Sequence, residues 1–190
     1  MQRSLVGSEM CIRDSGMVVS VGLAIMISLM RNKRASKVYQ TMMFFPYFMS
    51  WVVASYFLDA FLNQNNGLIN NMLRNSGQQP IQWYMTAGAW PAILTFMYLW
   101  KSTGYNMVIY LSSISGIDTT LYEAAVMDGA NKRQQVFHIT LPCLKNVIIM
   151  MFILNVGKIF YSDFGLFYQL SQGASGSIFK TTATIDTYIY

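Results

Sequence analysis

Residues able to make or break bonds are few and scattered. The chain has one histidine, His138, and two cysteines, Cys11 and Cys143. Two cysteines give no disulfide framework. Asp59 and Asp163 share no motif, and no Gly-rich Lys-Ser/Thr loop for a nucleotide phosphate occurs. His138 lies in a polar stretch, where a surface role fits better than metal ligation. That stretch, 121–142, stands between two long apolar segments and reads Leu-Tyr-Glu-Ala-Ala-Val-Met-Asp-Gly-Ala-Asn-Lys-Arg-Gln-Gln-Val-Phe-His-Ile-Thr-Leu-Pro. Its residue types suit docking rather than catalysis. Thr120-x-x-Glu123 fits a capping box, with the Thr hydroxyl capping the first turn and Glu123 reaching back. Ala124 and Ala125 are strong helix formers with almost no side chain. Gly129, directly after Asp128, can take the left-handed conformation that ends a helix. Residues 131–138 can form a second short helix before Leu141-Pro142 redirects the chain into the next apolar segment. The expected product is a compact helix–turn–helix at a membrane surface, with small residues exposed to a close-fitting partner.

The elements around this stretch are those of a membrane protein. Hydrophobic residues make up 54% of the chain and charged residues 11%, where a soluble domain carries about 25% charged. Apolar spans are expected at about 16–30, 38–62, 87–113 and 142–162, with a further span starting at 184–190. Pro46 falls near one end of the second span and Asp59 near the other. Pro91 opens the third, a position proline tolerates well, and Pro142 starts the fourth. Residues 63–86 and 162–184 read as polar outside loops, with a short interfacial helix near 68–73. The segments 31–37 and 114–141, with the start of the fourth span, hold seven cations (Arg31, Lys33, Arg34, Lys37, Lys132, Arg133 and Lys145), against Arg74 and Lys180 in the outside loops. The positive-inside rule then makes the central loop cytoplasmic. No charge run or low-complexity tail points to nucleic acid.

Residues 1–15 read differently. Glu9, Arg13 and Asp14 interrupt any apolar core that a signal peptide needs. The run Leu-Val-Gly-Ser-Glu-Met-Cys-Ile-Arg-Asp resembles one reading frame of a transposase adapter used in sequencing libraries. We therefore set 1–15 aside as a non-native head and take 16–190 as the domain, truncated at both ends.

Lys101-Ser102-Thr103-Gly104 falls near the middle of the third span. A cation at mid-membrane costs roughly 2.5–3.5 kcal/mol on insertion scales and usually faces a bundle interior or a water-filled path. Two readings stand: Lys101 lines a pathway, or it pairs with a buried partner or snorkels. Gly104 allows a kink or a close helix contact.

The pattern Glu123-Ala124-Ala125, three residues, Gly129, nine residues, Ile139-x-Leu141-Pro142, with Asp128 and Ala130 beside the glycine, is similar to the coupling loop of permease subunits of binding-protein-dependent ABC importers. The resemblance extends to the polysaccharide and oligosaccharide branch of these permeases. Ser50-Trp51-Val52-Val53, Ile109-Tyr110-Leu111, Gly116-Ile117-Asp118, 163–168 (Asp-Phe-Gly-Leu-Phe-Tyr) and 185–188 (Ile-Asp-Thr-Tyr) extend it over essentially 16–190. It implies an all-α polytopic bundle in the bacterial plasma membrane whose cytoplasmic loop docks on an ATPase. The partners it implies are a second permease subunit, a cytoplasmic ATPase dimer carrying the ATP and Mg, an extracytoplasmic solute-binding lipoprotein, and membrane lipid. No cofactor and no metal is expected in this chain, and no catalysis. Trp100, Lys101, Tyr105 and Asn155 become candidate pathway residues, because sugars favour aromatic stacking and polar hydrogen bonds. A channel or secondary transporter would not need an ATPase-docking loop. A membrane-embedded enzyme would need a paired-carboxylate, histidine-cluster or Ser/Lys constellation that the sequence does not offer.

Overall fold

The computed structural model describes residues 2–157 and 165–171, with 2–10 as backbone only. The eight α-helices among them are α1 (Gln2–Ser28), α2 (Lys33–Phe44), α3 (Trp51–Leu62), α4 (Leu68–Asn75), α5 (Trp90–Ser115), α6 (Thr119–Met127), α7 (Lys132–Gln135) and α8 (Leu141–Gly157). No strand occurs among the described residues, so the fold is all-α, as expected from the sequence.

The chain forms two compact units. One gathers Arg13–Tyr47 with residues 100–157. Its core is Ala24 and Ile27 of α1 against Met107 and Tyr110 of α5, with Met43 of α2 and Val147, Ile148 and Met151 of α8 packed around them. Small residues bring backbones together here. Ser20 of α1 donates to the Gly16 carbonyl at 2.6 Å and reaches the Thr103 carbonyl of α5 at 3.4 Å. A Cβ on Gly104 would collide with the Met43 carbonyl of α2, so Gly104 serves a close helix contact. Asn32 caps α2 by accepting from the Arg34 and Ala35 amides.

The other unit holds Phe48–Leu99 with residues 2–12 and 165–171. The helix near 68–73 is present as α4, and the loop after it is ordered by Asn70, which is fully buried. The Asn70 amide donates to the carbonyls of Asn63 (3.2 Å) and Ile81 (3.0 Å), and its oxygen accepts from the Ile81 amide and the Trp83 indole. Asp59 accepts from Asn63 Nδ2 at 3.2 Å. Burial and then the Asp59 carboxylate push the Tyr84 phenol far above its ordinary value, which keeps it protonated.

The structure corrects several sequence expectations. The second span is not one helix: α2 ends at Phe44, a 3₁₀ turn covers Phe45–Phe48, and Ser50 caps a new helix, α3. Pro46 lies in that turn, because a proline cannot complete the helical ladder. The fourth helical run begins at Lys132 rather than Pro142. Residues expected in an outside loop form a π turn, Gly165–Gln169, with Leu166 and Phe167 buried. A Cβ on Gly165 would strike the Trp51 ring, so glycine permits that turn to lie on α3. Helix α1 also runs unbroken through the head set aside above. Residues 158–164 and 172–190, with Lys158, Asp163, Phe164, Lys180 and the whole expected segment at 184–190, lie outside the described residues.

Among the described residues, two helices are long and apolar enough to cross a membrane, with apolar cores at Cys11–Ser28 and Lys132–Gly157, and α2 with α3 makes a third broken candidate. Helix α5, 26 residues and ~39 Å long, has the length but carries Lys101, Ser102 and Asn106 at its centre. Tyr56 (74% exposed), Val18 (69%) and Ile153 (62%) point outward, where acyl chains rather than water would meet them. We expect Gly104→Val to destabilise the bundle by about 1–3 kcal/mol, the usual cost of overpacking, and Gly22→Val, whose Cβ meets nothing within 4 Å, to cost far less. Thermal unfolding of the two variants in detergent checks this.

Candidate functional site

The loop between α5 and α8 is a helix–turn–helix whose joints are each satisfied locally. Helix α6 starts two residues earlier than expected. Asp118, not Thr120, is its N-cap, accepting from the Thr120 amide at 3.0 Å. A carboxylate facing the unpaired amides of a helix start is the stronger cap, and Glu123 is left exposed instead of closing a capping box. The hydrogen bond from Thr120 holds the Asp118 carboxyl below its usual range.

Gly129 ends the helix with φ +78°, and the Ala130 amide returns to the Ala125 carbonyl at 2.8 Å, as expected for a left-handed stop. Asn131 and Gln134 then form a reciprocal capping box, Asn131 Oδ1 accepting from the Gln134 amide and Gln134 Oε1 from the Asn131 amide. The Asn-x-x-Gln spacing carried that signal, although the sequence reading placed its box at Thr120. Gln135, only 4% exposed, donates to the Ala130 carbonyl at 3.1 Å. Tyr122 Oη and Thr140 Oγ1, 2.9 Å apart, tie the first helix to the base of the second. Nothing in the residue pattern announced that pair.

The second arm does not stop before Pro142. Val136–Thr140 forms a π turn whose Leu141 amide bonds to the Val136 carbonyl, and α8 follows without a break. A π turn just ahead of a proline absorbs the missing N–H and the ring's steric demand.

The motif residues thus fall into three groups. Ala125, Asp128, Gly129, Ala130 and Ile139 share the wall of a concavity of about 310 Å³ with Gln134 and His138. Glu123 and Ala124 lie exposed on α6. Leu141 and Pro142 are outside the concavity and begin α8. Elsewhere on the loop, Met127 (87%), Phe137 (66%) and Val126 (57%) present apolar surface. His138 Nδ1 lies 3.0 Å from the Gln134 carbonyl, an intrahelical contact. No group of three His, Cys, Asp or Glu residues is placed to hold a metal among the described residues.

The pathway candidates are only partly assembled. Lys101 Nζ donates to the Tyr47 carbonyl at 3.1 Å and stands 5.5 Å over the Tyr47 ring. Tyr105 stacks on the same ring at 4.6 Å, and Phe44 joins them at 5.8 Å from Tyr47. Lys101 and Tyr105 therefore meet through Tyr47, which sequence reasoning missed. Trp100 precedes this cluster and is half-buried, and Asn155 sits half-buried on α8.

An all-α fold with outward-facing apolar helices and a pre-shaped polar loop defines a helical membrane protein. The family can be stated as well: residues 19–183 match the model of the "Binding-protein-dependent transport system inner membrane component", and the chain belongs to that family. It is 32% identical over 172 residues to the polygalacturonan/rhamnogalacturonan transport system permease protein YteP of Bacillus subtilis, covering 90% of this chain and 53% of that protein. It is 31% identical over 179 residues to the lactose transport system permease protein LacF of Rhizobium radiobacter, covering 90% and 58%. The chain thus spans little more than half the length of these relatives. A crystal structure of a bacterial ABC transporter involved in import of the acidic polysaccharide alginate aligns with a TM-score of 0.87 at 27% identity, over 98% of this chain and 65% of that one. The expectation of a transport component rather than an enzyme agrees with this membership.

The Asp118 cap is testable through pH. Its folded pKa is lowered, so the stabilisation is present above the ordinary carboxylate value of ~3.9 and is lost as pH falls through the lower folded value. Hydrogen-exchange protection at the start of α6 should be retained in Asp118→Asn at neutral pH, be lost in Asp118→Ala, and fade in wild type only at strongly acid pH.

Proposed function

We propose that this chain is a transmembrane permease subunit of an ATP-driven importer for oligosaccharides or polysaccharide fragments, with loop 114–141 as its coupling element. The observation that carries the reading is the loop. Five of its nine motif residues converge on one concavity, its turns are held by caps and buried hydrogen bonds, and the loop exposes apolar side chains. A partner meeting such a surface finds it preorganised, which lowers the ordering cost of binding. The continuous run from α7 into α8 would carry a push on the loop into the membrane. The positive-inside bias supports a cytoplasmic position for the loop and for 31–37.

The partners in this reading are a second permease subunit, an ATPase dimer holding ATP and Mg, and an extracytoplasmic binding lipoprotein. The solved alginate transporter, also determined with an alginate pentasaccharide-bound periplasmic protein, supports the last of these by analogy. Relatives named for rhamnogalacturonan, lactose and alginate transport support a saccharide. Trp100, Lys101, Tyr105 and Asn155 remain the proposed pathway residues, now joined by Tyr47.

Two measurements test this. A cytoplasmic ATPase is expected to copurify with the tagged protein from its own membrane and to be lost in Gly129→Val, whose branched side chain resists the left-handed turn. Gly129→Asn, which tolerates the left-handed turn, should keep it. Absence of any ATPase with well-folded wild type would sink the importer reading and favour a channel or secondary transporter. For the pathway, Lys101→Ala and Asn155→Ala are expected to slow oligosaccharide uptake at least about tenfold, the scale of a lost charged or polar contact. Unchanged uptake and preference would remove them from the pathway.

A further inference from the structure

A second cavity, of about 410 Å³, lies beside the loop, within the unit that contains it. The end of α1, the first half of α2, the end of α5 and the loop all contribute to its wall. Lys33 and Lys37 of α2 and Lys132 of α7 line it, and no carboxylate does. Among its other lining residues are three polar side chains more than nine-tenths buried: Ser36 (8% exposed), Gln135 (4%) and Thr140 (3%). They are ordered before any ligand arrives. Ser36 Oγ accepts from Gln40 Nε2 at 3.1 Å and keeps its hydroxyl proton to donate. Lys132 Nζ touches Gln135 Oε1 at 3.4 Å, and Tyr122 is held by Thr140.

Lys33, Lys37 and Lys132, each exposed to solvent as well as lining the wall, give this cavity a positive balance that an anion would offset. The donors here are lysines and hydroxyls, suited to the dispersed charge of a phosphate as point-charge binders. The remaining wall is apolar, with Ile27, Leu29, Leu111 and Ile114. We propose that this cavity is a binding site for a phosphate anion, presented by the headgroup of an anionic phospholipid or by free phosphate. The apolar wall beside the lysines fits the lipid source, since a phospholipid brings a phosphate and an acyl chain together, and basic pockets between helices bind such headgroups. An anion here would bridge α2 to α7 and so fasten the loop to the bundle. This inference leans on the proposed function only for the placing of the loop at the membrane edge.

The test needs neither ATPase nor transport, so its failure is separable from failure of the importer reading. The purified full chain is examined by native mass spectrometry after exchange into mixed micelles containing phosphatidylglycerol or phosphatidylcholine. Inorganic phosphate is titrated separately and read by thermal shift. The variants are Lys33→Gln/Lys37→Gln/Lys132→Gln, the same positions changed to Arg, and Arg31→Gln/Arg34→Gln/Arg133→Gln, which removes equal charge from residues that do not line the cavity. The lipid source predicts about tenfold preferential retention of phosphatidylglycerol, on the scale expected for a few lysines at an anionic surface. Free phosphate predicts a phosphate-dependent thermal shift with no lipid preference. Either result upholds the site if the Lys→Gln variant loses it while the Lys→Arg and outer-arginine variants keep it. Binding of neither probe, or equal loss in the Lys→Gln and outer-arginine variants, overturns it.

Discussion

A proline inside a helical run is the constraint from which much of the loop follows. Pro142 has no amide proton, and its ring crowds the carbonyl a turn earlier. A chain can answer by ending the helix, or by widening one turn. Here the π turn Val136–Thr140 takes the second course, and the helical path continues from Lys132 to Gly157. The second arm of the loop is therefore the end of the α8 rod. Once that arm is rigid, the first arm needs only a few ties, and the Tyr122–Thr140 and Gln135–Ala130 hydrogen bonds supply them. A short hinge with no such ties would dissipate a push; a loop built as a rod end is suited to the coupling role proposed for it.

Membrane residence sets the second constraint. Helices α3 and α8 keep apolar side chains on the outside, which in lipid is no penalty. Association between such helices must then come from close approach and interhelical contact rather than from hiding hydrocarbon. Gly104 against Met43 and Ser20 against Thr103 do this work in one unit, and Gly165 against Trp51 in the other.

Features encoded by composition and local spacing were legible in the sequence: the all-α class, the polar loop, the helix stop at Gly129, the short helix α4 and the close contact at Gly104. Features set by contacts distant in sequence were not. Nothing local marks Tyr122 as the partner of Thr140, or Asn70 as the knot of its loop. The cap at α6 was misplaced because Thr120-x-x-Glu123 matches a capping box while Asp118, two residues earlier, competes for the same amides and wins by charge. The second span was drawn as one helix because hydropathy averages over Pro46, whereas the backbone cannot.

That break at Pro46 bears on Lys101. A helix interior keeps its carbonyls engaged in the ladder and offers a neighbouring ammonium little. The 3₁₀ turn Phe45–Phe48 leaves the regular ladder and presents the Tyr47 carbonyl, to which Lys101 donates, with the Tyr47 ring set beneath the charge. Two irregularities that would each be costly in hydrocarbon, an interrupted helix and a central cation, thus satisfy one another. The pairing does not withdraw Lys101 from a transport role. In the proposed pathway, an arriving polar solute would replace the Tyr47 carbonyl as the partner of Lys101. Tyr47 and Tyr105, stacked beside it, would offer flat apolar faces to such a solute. The satisfied partner seen here is therefore compatible with the proposed pathway role of Lys101.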